Sequence, residues 1–130
     1  MIILDTHAWI WWVSSPELLP TNQRKFLESS SDIIAVSIIS LWEVYMLERK
    51  GRIKLPYEIE KWFENAIEES GINIIDLSRK IIIESNHLPG AFHRDPADRM
   101  IVATSRTYNA PLVTADKKIL EYAHVLIAGK

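Results

Sequence analysis

The sequence predicts an α/β fold in which a mostly parallel central sheet lies between two layers of helices. Three observations predict it. Short runs of β-branched residues alternate with longer stretches of helical apolar spacing. No repeat, linker or low-complexity segment interrupts that alternation. Strands joined through helices need crossover connections, and such connections make neighbouring strands parallel. A single domain spanning residues 1–130 follows, long enough for a substantial core and too short for two.

Ile2-Ile3-Leu4 reads as a buried strand that stops at Asp5, and Thr6 to Val13 as a short helix closed by Ser14-Ser15-Pro16. A second helix starts with Thr21 as its cap and runs to about Glu28. Ile33 to Val36 is the second strand. Ser37 then caps a helix carrying Ile38, Ile39, Leu41, Trp42, Val44, Tyr45, Met46 and Leu47, which is apolar almost all round and ends near Gly51. Pro56 opens a helix to about Ser70 with Gly71 as its stop, and Ile72 to Leu77 makes a third strand. A short helix from Ser78 to Asn86 leads into the Pro89-Gly90 turn. Asp95-Pro96 starts a helix through about Tyr108, and Leu112-Val113 is a fourth strand. Asp116 to Glu121 forms a small helix and Val125 to Ile127 a candidate edge strand. In a sheet of this kind the ligand site lies at the carboxyl ends of the strands.

Four carboxylates are aimed at that edge. Asp5 ends the first strand, Asp116 follows the fourth after Val113-Thr114-Ala115, and Asp98 lies in the first turn of the helix after Asp95-Pro96. Glu43 starts roughly 9 Å up its helix. Helical side chains lean towards the N-terminus, so Glu43 reaches back to the same edge. Carboxylates forced together repel and raise one another's pKa, a cost that a bound divalent cation reverses. Cysteine is absent, which excludes thiolate ligands, disulfides and cysteine nucleophiles and fits a reducing cytoplasm. His7, His87, His93 and His124 show no regular ligand spacing. The donors are therefore oxygens, which suit Mg²⁺ or Mn²⁺. Such an ion keeps several waters, one of which can be made more acidic for in-line attack on phosphorus.

Each acid also has a structural reading. Asp95 before Pro96 makes a good N-cap, Asp98 then favours the helix dipole, and Asp116 could cap its small helix. Glu43 could form a capping box with Ser40 or pair with a base, and Asp5 could be a turn residue. Jointly these readings fit less well, because a lone charge on the apolar Glu43 face would be expensive. Thr6 and Thr114 flank the acids and could hydrogen-bond a ligand carboxylate, water or local backbone. Arg94 and Arg99 bracket Asp95 and Asp98 and could hold a phosphate.

The formal charge of −2 argues against nucleic-acid binding by bulk attraction, so any such contact relies on local patches or metal. No stretch approaches the roughly 20 apolar residues of a membrane span, and no basic segment precedes a long apolar run, so the expectation is a soluble, unexported chain. The chain lacks Asp-x-Asp at the first strand, a phosphate-binding Gly-x-x-x-x-Gly-Lys-Ser/Thr loop and a dinucleotide glycine fingerprint. These absences disfavour nucleophilic-aspartate phosphatases, P-loop NTPases and dehydrogenases.

Four segments occur in a telling order: Leu4-Asp5-Thr6-His7 with Trp11-Trp12; Ser37 with Leu41-Trp42-Glu43; His93-Arg94-Asp95-Pro96-Ala97-Asp98-Arg99-Met100-Ile101-Val102-Ala103-Thr104; and Thr114-Ala115-Asp116. On these motifs the chain resembles the PIN-domain proteins, specifically the VapC-type toxins of prokaryotic toxin–antitoxin pairs, over nearly its whole length. The resemblance implies a PIN-like three-layer α/β/α sandwich and an endoribonuclease that uses Mg²⁺ or Mn²⁺ at an acidic pocket. It also implies an RNA substrate such as tRNA or another structured RNA, a homodimer, and inhibition by a VapB-type antitoxin. Asp5, Glu43, Asp98 and Asp116 match the acidic quartet, and Asp95 matches an extra acid of the subgroup with Asp-Pro-x-Asp. Ser105 stands where alanine is common.

Partner surfaces have two candidates. The five tryptophans include Trp9, Trp11, Trp12 and Trp42 on helices beside the site, where they could pack the core or form a dimer seam or antitoxin groove. Arg49, Lys50, Arg52 and Lys54 could track an RNA backbone or simply complement the helix C-terminus. A non-catalytic binding module with the same fold is the alternative class, which the complete acidic set disfavours.

Overall fold

The computed structural model describes residues 1–130. Four strands, β1 (Ile2–Leu4), β2 (Ile34–Ser37), β3 (Asn73–Ile75) and β4 (Leu112–Val113), form one sheet in the order β3-β2-β1-β4. All three pairings are parallel, with Ile3 opposite both Ala35 and Leu112. Seven helices connect and cover the strands: α1 (Thr6–Ser14), α2 (Thr21–Ser29), α3 (Ile38–Arg49), α4 (Ile59–Phe63), α5 (Arg79–Asn86), α6 (Pro96–Tyr108) and α7 (Lys117–Leu120). None is long and apolar enough to cross a membrane.

Strand residues point alternately to the two faces, and the core divides accordingly. Ile2, Leu4, Val36 and Val113 pack with Ala8, Trp9, Leu27, Val44 and Trp62, while Ile3, Ala35 and Leu112 pack with Ile81, Ile101, Val102 and Ile119. The sheet is thus buried on both sides, the expected state for continuous apolar parallel strands. The three-layer architecture predicted from the sequence is the one observed.

Local chemistry sets most boundaries. Ser37 and Ser78 cap α3 and α5 by accepting from the Ile39 and Ile81 N–H groups. α6 begins at Pro96 behind its cap Asp95 and ends at Asn109, whose φ of 51° places it in the left-handed region that Asn tolerates. Ser105, buried next to that end, donates to the Ala110 carbonyl at 2.6 Å, which gives its hydroxyl a local partner.

Three expectations are corrected. The helix expected from Pro56 starts only at Ile59, the first residue after Pro56 that packs on the core with Trp62. It continues as wider π-helical turns over Glu64–Glu69, where the Ala66 carbonyl accepts from the Trp9 indole at 3.0 Å. Thr21 is the first residue of α2, and its cap position is held by Pro20 without a side-chain bond. The expected edge strand Val125–Ile127 reduces to a single parallel bridge between Ile127 and Leu112, because the chain turns away at Gly129. Trp9 lies wholly buried against Trp62 and Phe63, whereas Trp42 and Tyr45 on α3 are 58% and 42% exposed.

Candidate functional site

A cleft of about 340 Å³ opens at the carboxyl ends of the strands, lined by Asp5, Thr6, His7, Trp11, Glu43, Asp95, Asp98, Ala115 and Asp116. All four acids singled out from the sequence reach it, together with Asp95. Each arrives there by a local device. Asp5 leaves β1 and caps α1, one carboxylate oxygen accepting from the Ala8 N–H at 2.9 Å. Asp95 caps α6 by accepting from the Asp98 N–H at 2.9 Å, and Asp116 caps α7 by accepting from the Lys118 N–H at 2.8 Å. Capping a helix and lining the cleft are compatible, since a carboxylate offers about four lone-pair directions and a cap uses one.

Glu43 is held differently. The Thr6 hydroxyl donates to it and sits 2.9 Å from the Ser40 hydroxyl, and because Ser37 caps α3 and Ser40 lies inside its first turn, the capping box between Ser40 and Glu43 does not form. On the other side, the buried Thr114 hydroxyl donates to the second oxygen of Asp5 and accepts from the Asp116 N–H at 3.0 Å. Two threonines therefore hold the acids from beneath, one on each flank.

The tightest grouping is Glu43, Asp95 and Asp98, each with an oxygen within 4.8 Å of the other two. Asp98 carries the consequence. Burial first, and then Asp95, Asp116, Glu43 and Asp5 in turn, push its carboxyl up from 3.8 to about 7. Burial also raises Asp5 and Glu43, with the Thr114 and Thr6 hydrogen bonds partly opposing the rise. A divalent cation would supply the positive charge that this group of carboxylates lacks. Oxygen donors at this separation fit a hard divalent ion, with Glu43, Asp95 and Asp98 nearest and Asp5 and Asp116 within the same cleft.

Three nearby residues, His7, Trp11 and His93, were not singled out as members of the acidic site from the sequence. His7 and Trp11, with ring centroids 6.0 Å apart, form a wall of the cleft. His93 places Nε2 3.0 Å from Asp98 Oδ2, yet that nitrogen is buried without a partner of hydrogen-bond geometry, so burial and the surrounding acids dominate Asp98. Conversely, the structure keeps Arg99 out of the cleft. Its guanidinium donates to the carbonyls of Ser85, Phe92 and His93 at 2.9, 3.1 and 3.1 Å, clamping the end of α5 to the loop before α6. Arg94, Arg49, Lys50, Arg52 and Lys54 are exposed outside the cleft.

A parallel sheet covered on both faces, with five carboxylates converging beyond its strand ends, defines an α/β protein with an acidic cleft at the carboxyl edge of its sheet. The chain belongs to the PIN domain family, whose sequence pattern matches residues 2–125. Among relatives, it is 29% identical over 123 residues to Ribonuclease VapC22 of Mycobacterium tuberculosis, covering 95% of this chain and 92% of that one. Its fold resembles a toxin–antitoxin complex from Klebsiella pneumoniae (TM-score 0.69, 21% identity, covering 100% of this chain and 98% of that one). It also resembles VapBC2 from Rickettsia felis bound to a DNA fragment from their promoter (TM-score 0.69, 23% identity, 98% and 97%).

Proposed function

We propose that this protein is a metal-dependent endoribonuclease and the toxin of a type II toxin–antitoxin pair. The observation that carries the proposal is the meeting of Glu43, Asp95 and Asp98 oxygens within 4.8 Å in a cleft that Asp5 and Asp116 also line. Membership of the PIN domain family and similarity to a protein named as a VapC ribonuclease support RNA as the substrate. The likeness in fold to chains of toxin–antitoxin complexes supports a VapB-type antitoxin as partner.

The residues divide the work. Asp5, Glu43, Asp98 and Asp116, with Asp95, would hold Mg²⁺ or Mn²⁺. The ion, when bound, supplies positive charge to the phosphodiester and lowers the pKa of water for attack on phosphorus. Thr6 and Thr114 fix the carboxylates so that they need not reorganise as charge develops, which is where such sites gain most. His7 and Trp11 offer the wall along which an RNA strand can lie, and His93 keeps a nitrogen beside Asp98. The exposed Trp42 and Tyr45 give α3 an aromatic face suited to a second copy of the chain.

The test is to incubate the purified chain, freed of antitoxin, with tRNA and total RNA in Mn²⁺ or Mg²⁺, with EDTA and with Asp5→Asn. Cleavage that needs the metal and fails in the variant is expected. Cleavage that survives either EDTA or Asp5→Asn would overturn the assignment.

A further inference from the structure

Thr114 holds Asp5 and Asp116, and something must hold Thr114. β4 lies at the edge of the sheet, and its residues turn their backbone groups alternately to the two sides. Val113 faces inward, its carbonyl accepting from the Asp5 N–H at 3.1 Å. Leu112 faces outward, where its N–H reaches the Leu126 carbonyl at 2.9 Å and its carbonyl takes the Ala128 N–H at 2.9 Å. Thr114, two residues on, also faces outward, but the outer segment has already turned off at Gly129. Gln23 fills the gap. Its amide nitrogen donates to the Thr114 carbonyl at 2.8 Å and its amide oxygen accepts from the Thr114 N–H at 2.9 Å, both bonds buried. A primary amide carries the same donor and acceptor as a peptide group, so this side chain completes the ladder where no strand is present.

Gln23 is 2% exposed, and both hydrogen bonds that its amide makes go to the Thr114 backbone. Its own position is fixed from outside the cleft. The Asn22 side chain donates to the Gly129 carbonyl at 3.2 Å, and the left-handed Gly129 lies so close that an added Cβ would fall 2.8 Å from the Asn22 carbonyl oxygen. The C-terminal turn, the start of α2, Gln23, Thr114 and the Asp5–Asp116 pair thus form one continuous chain of contacts.

We infer that Gln23 is a positioning residue of the acidic site: it sets Thr114, and through the Thr114 hydroxyl it sets the Asp5 carboxylate and the first turn that carries Asp116. The inference rests on the reading of these acids as a cation site. Groups bonded directly to metal ligands, as Thr114 is to Asp5, typically change metal affinity 10- to 100-fold when lost, and Gln23, one step further out behind Thr114, falls at the low end of that range.

The experiment measures Mn²⁺ binding by isothermal titration calorimetry to the whole chain, beside the melting temperature of each variant. Gln23→Glu keeps the shape and an acceptor for the Thr114 N–H but replaces the donor to its carbonyl, and Gln23→Met removes both bonds at similar volume. Leu27→Ala, buried on the same helix, destabilises through a cavity without touching Thr114. The expected result is Mn²⁺ affinity about tenfold weaker in Gln23→Glu and Gln23→Met, with Leu27→Ala at the wild-type value despite its lower melting temperature. Gln23→Glu alone decides if Gln23→Met does not fold. Wild-type affinity in a folded Gln23 variant overturns the inference, as does equal weakening in Leu27→Ala. Failure of the wild-type chain to bind Mn²⁺ overturns instead the cation-site reading, and the inference with it.

Discussion

Replacing Asp98 by Asn should make the metal-free protein more stable while removing its response to metal. At pH 8 the Asp98 carboxylate is ionised in both folded and unfolded chains, so the folded state bears the full cost of a charge whose pKa is held at about 7 instead of 3.8. At ~1.36 kcal/mol per unit the rise corresponds to ~4 kcal/mol, which partial solvent screening reduces to ~2 kcal/mol. Asn carries no charge and keeps the shape. It forfeits the favourable interaction of an acid with the α6 dipole, ~0.5 kcal/mol, leaving a net gain of ~1.5 kcal/mol. For a domain of this size that is a melting temperature higher by about 5 °C. The sign reverses with the proton. Below about 7 the folded wild type protonates and sheds the penalty, which disappears altogether below the unfolded value of 3.8, so the advantage of Asn shrinks as pH falls. Metal acts the other way: at a free Mn²⁺ concentration 100 times Kd the wild type gains ~2.7 kcal/mol, and Asp98→Asn gains little. Thermal unfolding followed by circular dichroism, in EDTA and in Mn²⁺ at pH 8 and pH 5, reads all four conditions. A variant that melts below the wild type in EDTA at pH 8, or that gains as much from Mn²⁺, would refute the reasoning.

Other outcomes follow from the same geometry. Because Asp98 must lose its proton to accept a cation, Mn²⁺ affinity should weaken towards tenfold per unit as pH falls below about 7, measurable by calorimetry; a flat profile between pH 8 and pH 5.5 would contradict it. Thr114→Val leaves the Asp116 N–H and one Asp5 oxygen without their partner and should cost ~1–3 kcal/mol, whereas Thr114→Ser, which keeps the hydroxyl, should restore most of the stability and cleavage rate. Arg99→Ala should lower stability by ~2 kcal/mol in urea titration through three lost carbonyl contacts, yet leave the salt dependence of RNA binding unchanged; a flattened dependence would place Arg99 on phosphate after all. Trp42→Ser with Tyr45→Ser should shift the chain towards monomer in light scattering if α3 forms the seam between copies, and an unchanged mass would exclude it.

The fold was legible because the strands are short, apolar and separated by helices with recognisable caps, as at Ser37, Ser78 and Asp95. The acids were legible for the same reason: Asp5 and Asp116 cap helices just beyond β1 and β4, and Asp98 lies in the first turn of α6 behind its cap Asp95, so topology carries them to one edge. Reach along a helix was harder to read. Glu43 proved to group most closely with Asp95 and Asp98, a matter of side-chain direction that spacing does not specify. Gln23 was illegible, since it lies 91 residues from Thr114 and its amide does the work of a strand that a pattern search would seek elsewhere. Arg99 looked like a phosphate ligand beside the acids until its three carbonyl partners, from the end of α5 and the loop before α6, were placed. The late start of α4 at Ile59 reflects the core's demand for Ile59 and Trp62, which overrode the helix-opening preference of Pro56.

The central claim is that the cleft beneath α3 and α6 is a cation site. Crystals grown with Mn²⁺ and measured at the manganese absorption edge locate the ion without reference to activity. The account predicts an anomalous peak within coordination distance of Asp98 and at least one of Glu43, Asp95, Asp5 and Asp116, absent in crystals of Asp98→Asn. A fully occupied peak elsewhere on the chain, with the acidic cleft empty in the same crystals, would contradict it.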